Sequence, residues 1–399
     1  MNWESVYCPN QNCRYYGVPF YEGRMVKNGS SHGQQAQALC KACGSSVALR
    51  YGTAYENLDA DPALFETAVR ALAEGNSLRA PARIVQIDKD TACAWLNRAA
   101  HHCRLVMLSL WRNLHITECQ LDELWSFVHT KERNLSAAKL YHETYGDAWV
   151  WLAFAPTCRM VIAFVVGKRT QANANLLLKR VASVTDTHIP FFTSAQLPEY
   201  HTALLQTYGI WEQPSRNGAR GRYPKPRRIP SPDLLYAHVV KTRHKGRVVN
   251  ITTKLVFGTE ERLLTQLAQS PVSRTVNTRF VERDNLTQRQ TNRRLTRGSP
   301  GYSKELAWVE KQLWLSMAYY HFVLPHHSLR QADPLPEPTH GTGSQRRWIP
   351  RTPAMAIGMT DHRWTTTELL SYRPPIQFLD TLSQLEQLFP HPDHIHQGS

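Results

Sequence analysis

Apolar runs of strand length and apolar positions at helical spacing divide the chain into regions of different character. From Glu118 the pattern is one of strands: "ECQLDELWSFV" predicts an apolar strand, and "AWVWLAFAPTCRMVIAFVVG" predicts a hairpin that turns near Pro156 and Thr157. The hairpin is apolar on both faces, which is typical of strands inside a sheet. The segments "QANANLLLKRVASV", "IPFFTSA" and "LPEYHTALLQTYG" predict a helix, a strand and a helix with Pro198 in its first turn. This order of elements predicts an α/β domain.

The region before Glu118 has a helical pattern instead. Apolar residues from Leu64 to Leu72 recur at helical spacing, and Gly75 stops the pattern. A short helix over residues 77–85 and a third helix capped near Asp88 follow, and three such helices form a helix-turn-helix unit. Its third helix is the one expected to enter a DNA major groove. Three helices also pack together in proteins that bind no DNA, so this pattern alone leaves both functions open.

Composition and charge narrow the class of partner. The 399 residues suffice for two or three domains, and 42% hydrophobic with 20% charged residues is typical of a soluble globular protein. The net charge of +15 predicts a polyanionic partner, without choosing among DNA, RNA and an acidic membrane surface. No apolar run approaches the ~20 residues of a membrane span, and "MNWESVYCPN" does not resemble a signal peptide. We therefore expect a cytoplasmic protein with no membrane partner.

The cysteines indicate a metal site. Eight cysteines in a reducing compartment favour metal binding over a disulfide framework. Four form the pairs Cys8-x4-Cys13 and Cys40-x2-Cys43, and Gly44 supplies a permissive backbone after the second pair. This spacing predicts a tetrahedral Zn²⁺ site that holds together a segment too small for its own core, and four unrelated thiols are the alternative. The remaining cysteines sit singly in apolar context and are expected to be core thiols: Cys93, Cys103, Cys119 and Cys158.

Two acidic residues stand in unusual surroundings. Asp122 lies inside an apolar strand, where a carboxylate is costly unless it is paired or bound to a metal. A hydrogen-bonded structural aspartate is the simpler explanation. Glu282 lies in an acid-poor helical segment, in which Asn285, Arg289 and Arg293 can share its face. A carboxylate among basic side chains suits Mg²⁺, which takes oxygen ligands and bridges to phosphates.

The predicted DNA contacts are basic residues in acid-poor segments. Arginine and lysine suit phosphate contacts, although solvated loops and helix faces are charged as well. The segment up to Pro232 is expected to be a loop that follows a phosphate backbone or enters a minor groove, and two strands joined near Lys245 and Gly246 follow it. The residues assigned to DNA binding are Arg220, Arg222, Lys225, Arg227, Arg228, Lys245, Arg283, Arg289, Arg293, Arg294 and Arg297.

Five ordered motifs resemble those of the insertion-sequence-one type of DDE transposase. They are "QLDELWSFV", "VVGKRT", "FFTSAQLPEY", "NTRFVERDNLTQRQTNRRLTRGSPGYSK" and "PHHSLRQ" with "RTPAMAIGMTDHRW". The predicted zinc ribbon and helix-turn-helix unit fit the same family. The resemblance covers most of the chain and implies an RNase H-like domain, whose order of elements is shared by other α/β folds.

The resemblance also implies three acids that bind two divalent metal ions, Mg²⁺ or Mn²⁺. Matched to the motifs, Asp122 is the first catalytic acid and Glu282 is the third. The second is expected after "FFTS", where this chain has Ala195. Asp186 precedes the strand and Glu199 lies on the following helix, so neither is an obvious substitute. We therefore expect a transposase inactivated by an engineered Asp-to-Ala change, with a natural degenerate copy as the alternative.

The expected domains are a zinc ribbon (1–58), a helix-turn-helix domain (59–114), an RNase H-like catalytic domain (115–330) with a basic insertion around 210–250, and a Pro/Gly-rich tail (331–399) with a short helix near "TTTELLS". The implied function is DNA transposition: binding the terminal inverted repeats of a prokaryotic insertion sequence, cutting a strand and joining it to target DNA. Because two ends are handled together, we expect a homodimer or larger homo-oligomer. The alternative is a non-catalytic DNA-binding repressor of the element. An RNA-directed nuclease has little support, because the sequence has no aromatic RNA-binding motif.

Overall fold

A computed structural model describes residues 2–30, 35–136, 144–215, 223–336, 344–345 and 347–393 of the chain. The chain divides into two compact units. Unit 1 comprises Met1–Leu110, Lys311–Leu324 and Asp361–Ser399, and unit 2 comprises Trp111–Glu310 and Pro325–Thr360. Unit 1 thus contains the segments predicted as zinc ribbon and helix-turn-helix, together with the later part of the segment predicted as a tail.

The described residues form 13 strands and 11 α-helices. The strands are β1 (Met25–Ser30), β2 (Ala36–Cys40), β3 (Ser46–Ala48), β4 (Glu118–Val128), β5 (Gly146–Ala155), β6 (Met160–Gly167), β7 (Phe191–Ala195), β8 (Gly209–Glu212), β9 (Arg227–Pro230), β10 (Tyr236–His244), β11 (Arg247–Phe257), β12 (Gln331–Ala332) and β13 (Trp348–Ile349). The helices are α1 (Pro62–Ala73), α2 (Arg79–Ile84), α3 (Lys89–Leu110), α4 (Gln171–Val184), α5 (Pro198–Tyr208), α6 (Glu260–Gln269), α7 (Arg279–Thr291), α8 (Leu306–Phe322), α9 (Pro353–Ala356), α10 (Thr366–Ser371) and α11 (Ile376–Glu386).

Unit 1 begins with a small antiparallel sheet in the order β1-β2-β3. Its core is small and includes Val6, Phe20 and Val47 together with three of the paired cysteines. A core of this size buries little apolar surface, so the segment needs another source of stability.

Helices α1, α2 and α3 of unit 1 lie where the sequence predicts helices. Asp61 caps α1 by accepting the Ala63 N–H at 2.9 Å, and Asp88 accepts the Asp90 N–H at 2.6 Å at the start of α3. The short helix predicted near "TTTELLS" is α10, which begins with a capping box between Thr365 and Glu368. Helix α10 packs on α3 through a hydrogen bond of 3.1 Å between the His102 ring and the Leu369 carbonyl.

The centre of unit 2 is a six-stranded mixed sheet in the order β11-β10-β7-β4-β5-β6. Strands β4, β7 and β10 run parallel, whereas β5, β6 and β11 run antiparallel to their neighbours. The predicted hairpin is confirmed, since β5 ends at Ala155 and β6 begins at Met160. Both strands are largely buried, as their apolar faces predict. The α/β class predicted from the pattern is therefore correct.

Helices cover both faces of this sheet. On one face Glu123 is level with Trp151, and Tyr200 of α5 packs edge-on against Trp151 with ring centroids 5.7 Å apart. Helix α4 packs beside α5 and on β6. On the opposite face Leu263 of α6 packs with Phe191 and Val239. Because side chains alternate along a strand, the neighbour of Glu123, Asp122, points to the side of α6.

Two segments differ from the sequence predictions. The segment predicted as a loop up to Pro232 contains β9, which pairs with β8 in a two-stranded antiparallel sheet. Helix α7 ends at Thr291, so the prediction that Arg293 continues its face is wrong: Arg293 begins a short 3-10 turn. Within the described ranges, none of the helices is long and apolar enough to cross a membrane.

Candidate functional site

The two cysteine pairs converge on one point in unit 1. The Sγ atoms of Cys8, Cys13, Cys40 and Cys43 all lie within 4.8 Å of one another. The Sγ distances are 3.5 Å between Cys8 and Cys43 and 3.9 Å between Cys13 and Cys40. Four Zn–S bonds of about 2.3 Å in a tetrahedron require sulfur separations of about 3.8 Å. The four cysteines are therefore placed to bind a metal ion such as Zn²⁺.

The backbone around these thiols supports them as ligands. Gly44, at φ +73°, donates its N–H to the Cys40 carbonyl at 2.8 Å, which closes the turn between the second pair. The Tyr15 N–H donates to the Cys13 sulfur at 3.4 Å. Hydrogen bonds with the Ser45 side chain and backbone lower the pKa of the Cys43 thiol to about 6. Such outer hydrogen bonds orient metal ligands and favour the thiolate form.

In unit 2 the sheet places Asp122 beside Ala195. Strands β4 and β7 are parallel, and their last paired residues are Leu121 and Ser194. The next residues along the two strands are Asp122 and Ala195, which are therefore level and face the same side. Ala195 is the last residue of β7, so this is the carboxyl end of that strand, where sites in α/β sheets form.

Helix α7 begins over the same face of the sheet. Gln120, two residues before Asp122, accepts the Val281 N–H at 3.0 Å and donates to the Asn277 carbonyl at 2.8 Å. Thr193, two residues before Ala195, donates its hydroxyl to the same carbonyl at 3.3 Å. These bonds attach the start of α7 to β4 and β7.

The two predicted acids each bind a donor side chain. Asn285 Nδ2 donates to Asp122 Oδ2 at 2.6 Å. Glu282, one turn before Asn285 and so on the same helix face, accepts the Thr278 hydroxyl at 2.6 Å and forms an ion pair with Lys241. Asn285 has a sequence signal in its spacing from Glu282. Lys241 had none and was not predicted as a site residue.

The charge on Asp122 is unfavourable in the folded protein. Burial raises the pKa of Asp122 to about 6, and the Glu123 and Glu282 carboxylates add to this rise, whereas the hydrogen bond from Asn285 opposes it. A perturbed carboxyl level with the carboxyl end of a neighbouring strand, with a second carboxylate nearby, is a typical feature of functional sites.

The residues present do not fit a two-metal site. Among the described residues, three or more Cys, His, Asp or Glu side chains come close enough to hold one metal ion at the four cysteines, and not at Asp122 and Glu282. At the sheet edge two carboxylates remain, and Ala195 contributes none. Neither neighbouring acid substitutes: Asp186 bonds the His115 ring at 2.8 Å, and Glu199 lies on α5, on the opposite face of the sheet.

Several residues predicted to bind DNA have other partners within unit 2. Arg289 donates to the Trp125 carbonyl at 2.9 Å and the Leu295 carbonyl at 2.6 Å. Arg228 donates to carbonyls at the end of α5, including that of Gly209 at 3.4 Å. Arg227 forms an ion pair with Glu212 at 2.9 Å, and Arg294 donates to the Ser303 hydroxyl at 3.2 Å. Arg293 lies in the 3-10 turn after α7.

The remaining predicted DNA contacts are exposed or outside the described residues. Exposed side chains are those of Lys225, Lys245, Arg283 and Arg297. Lys245 lies at the tip of the hairpin formed by β10 and β11, with φ +49°. Arg220 and Arg222 lie outside the described residues.

The helix predicted to enter a major groove, α3, is buried over much of its length. Trp95, Leu96 and Cys103 are among its buried residues. Its Arg98 donates to the Ala54 and Asn57 carbonyls at 3.4 and 3.3 Å. Exposed arginines lie instead on α1 and α2, at Arg70, Arg79 and Arg83.

Comparison with models of protein families and with curated proteins gave no match to this chain. The function of the two sites is therefore inferred from their geometry and from the sequence motifs that form them.

Proposed function

We propose that this chain is a DDE-type DNA transposase whose catalytic site lacks its second acid. The observation that carries the proposal is the level position of Asp122 and Ala195 on neighbouring parallel strands, with Glu282 on the helix that contacts Asp122. An antiparallel meander, β4-β5-β6, continued by the parallel strands β7 and β10 between two helical layers, supports the RNase H-like domain expected from the motifs.

Aspartate at position 195 would complete a set of three carboxylates at one edge of the sheet. Carboxylate oxygens suit Mg²⁺ and Mn²⁺, and such ions, when bound, favour attack on a phosphodiester and departure of the leaving oxygen. The protein's own residues hold this geometry: Asn285 fixes the carboxylate of Asp122, and Thr278 fixes that of Glu282. With Ala195, the chain is expected to bind DNA without cutting it.

The expected substrate is double-stranded DNA, comprising the ends of an insertion sequence and a target. The net charge of +15 supports a polyanionic partner, and the exposed Lys225, Lys245, Arg283 and Arg297 are suited to phosphate contacts. The cysteine cluster supports a zinc ribbon that precedes the helices of unit 1. Exposed Arg79 and Arg83 make α2 a better candidate for DNA contact than the middle of α3.

The proposal is tested by restoring the acid. Purified chain and the Ala195→Asp variant are incubated with Mg²⁺ and DNA that flanks the coding sequence on both sides, where terminal repeats are expected. The variant should cut and join this DNA at least about 100-fold faster, because even residues that only support metal ligands contribute 10–100-fold. Adding Asp122→Asn to the Ala195→Asp variant is the matched control and should abolish the gain.

A second function is favoured by Ala195 itself: a DNA-binding repressor that does no chemistry. It predicts that the chain and the Ala195→Asp variant bind the flanking DNA equally and that neither cuts it. That result would remove the assignment of Asp122 and Glu282 as catalytic acids, whereas cutting by the variant would exclude the repressor as the ancestral function.

A further inference from the structure

The hairpin of β10 and β11 continues past the neighbouring strand. Val239 of β10 is level with Ala195, the last residue of β7, and every residue from 242 to 254 is exposed. At about 3.3 Å per residue, the hairpin reaches roughly 20 Å beyond β7. We call residues 242–254 the ribbon arm. A two-stranded ribbon buries too little surface to be stable by itself, so its continuation into the central sheet holds it in place. The surface of the arm is therefore open to a partner.

The ribbon arm carries cations and no acids. No Asp or Glu occurs between Asp233 and Glu260. The basic residues of the arm include Arg243, Lys245, Arg247 and Lys254. Among the described residues β11 is an edge strand of the central sheet, and cations on an edge strand disfavour pairing with a second copy, because like charges would meet. The charge of the arm favours a polyanion instead.

One face of the ribbon arm combines aliphatic and basic side chains. Ile251 is opposite Lys241 and Val248 is opposite Arg243, and cross-strand partners share a face. The side chains of Ile251 and Val248 are 59% and 42% exposed. Val249, 59% exposed, is the extra residue of a bulge between them. The cross-strand pairs on the opposite face of the arm are polar and include Thr242 with Asn250 and His244 with Arg247.

Strand propensity does not explain why this face is apolar. β-branched residues favour strands, but threonine does so as well, and the same strand contains Thr252 and Thr253. Single exposed aliphatic residues are common on protein surfaces. Here they lie next to one another and beside two cations, on an arm whose residues are all exposed. Their apolar surface gains free energy only when a partner covers it. The partner must then offer both negative charge and apolar groups.

Double-stranded DNA offers both in its major groove. There thymine presents its 5-methyl group between the two phosphate backbones. The groove is about 12 Å wide and admits a two-stranded ribbon, whereas the minor groove is only about 6 Å wide. We propose that the ribbon arm lies in the major groove, with its aliphatic side chains on thymine methyl groups and its cations on phosphates. The inference rests on the DNA partner of the proposed function, but it needs neither a metal ion nor an acid at position 195.

The first test removes methyl groups from the DNA. The chain is bound to a fluorescent 30-base-pair duplex of A·T pairs and to the same duplex with deoxyuridine for thymidine, which lacks only the 5-methyl groups. It should bind the thymine duplex at least about threefold more tightly, since a buried methyl contributes about this factor. A variant with Val248→Thr, Val249→Thr and Ile251→Thr keeps the β-branched shape and should bind both duplexes about equally. Leu264→Thr is the matched control on α6: Leu264 is 61% exposed, and its variant should keep the preference.

The second test separates aliphatic contacts from ionic ones. Affinity for the thymine duplex is measured at several salt concentrations. Lys245→Gln and Arg247→Gln should each reduce the slope of log affinity against log salt by about 0.9, because one fewer counterion is released for each phosphate contact that is lost. The triple threonine variant should bind more weakly with an unchanged slope. Lys179→Gln is the matched control, because Lys179 is exposed on α4 and should leave the slope unchanged.

The outcomes separate this inference from the proposed function. Equal binding of both duplexes by the unchanged chain, or a preference retained by the triple threonine variant, would mean that the aliphatic side chains do not contact the major groove, although the chain still binds DNA. Loss of a dimer in the triple threonine variant, measured by sedimentation, would mean that a second copy covers these side chains, and it would also overturn the inference. If the chain binds neither duplex, the proposed function fails and the inference fails with it.

Discussion

Asp122 carries a charge that folding disfavours. Its pKa rises from 3.8 in the unfolded chain to about 6, chiefly through burial. The folded state thus holds the proton more tightly, so ionisation costs stability: the cost is absent below pH 3.8, grows up to about pH 6 and is constant above. We predict that Asp122→Asn raises the free energy of unfolding by about 1–2 kcal/mol at pH 7.5 and by progressively less towards pH 4. Urea unfolding at several pH values measures this gain.

Asp186 is a matched control, because its substitution is expected to change the free energy of unfolding in the opposite direction. Its hydrogen bond with His115 lowers the pKa of Asp186 below 3.8, so its contribution to stability is present above that pH and is lost as the pH falls through the lowered pKa. Asp186→Asn should therefore destabilise the protein at pH 7.5. Destabilisation by Asp122→Asn at pH 7.5 would contradict the view that this carboxylate is kept for function at the expense of stability.

Single residues differ in how visible they are in the sequence. Ala195 is conspicuous because a motif surrounds it, and the strand register makes it level with Asp122. Lys241 has no such signal, because its contact joins residues 41 apart in the chain and nothing local distinguishes it from other basic residues of the hairpin. Arg289 illustrates the opposite error: its charge suggests a phosphate ligand, but two backbone carbonyls take its donors.

At the scale of elements, β1, β2 and β3 depend on the cysteine cluster. Their core is too small for independent stability, and metal binding can supply the difference, since its free energy adds directly to folding. We predict one Zn²⁺ per chain, lost in Cys40→Ser. Chelation should abolish amide protection against hydrogen exchange in β1–β3 and leave β4 and β5 protected.

Zinc content by atomic absorption and peptide-resolved hydrogen exchange measure both effects. Cys158→Ala is the matched control, because Cys158 is a buried thiol in unit 2 and should leave the metal content unchanged. Full protection of β1–β3 after chelation would mean that the four thiols are merely neighbours and that the segment folds on its own core.

The elements that the sequence predicted best are those with one dominant signal. The apolar hairpin of β5 and β6 and the capped helices α1 and α3 have strong periodicity or caps. Helices α10 and α11 lie in a segment whose Pro and Gly content suggests a tail, and of the two only α10 was predicted. Burial of Leu370 and Phe378 in unit 1 stabilises them, and composition carries no information about such packing. The end of α7 was also not predicted. There the Asn292 side chain accepts the Arg294 N–H at 3.0 Å, and this hydrogen bond turns the chain out of the helix.

At the scale of the whole molecule, the proposed function makes DNA binding and DNA chemistry separable. The positive charge is spread over exposed residues in both units, whereas the proposed chemistry would depend on three positions at one sheet edge of unit 2. On this proposal, alanine in place of an acid at position 195 removes no basic side chain, so the attraction to phosphates is retained. The chain as it stands should compete with an active form for the same DNA.

This competition gives a prediction about assembly. If a homodimer holds two element ends with one catalytic site for each, random pairing of equal amounts of this chain and the Ala195→Asp variant leaves about one quarter of dimers with two complete sites. Joining of both ends should then fall to about one quarter of the rate of the variant at the same total concentration, while cutting of single ends falls to about one half. The two products are separated on gels after the chains have been refolded together, with separately refolded chains mixed later as the control. A fall of both products to one half would indicate independent monomers, because each site would then act without regard to its neighbour.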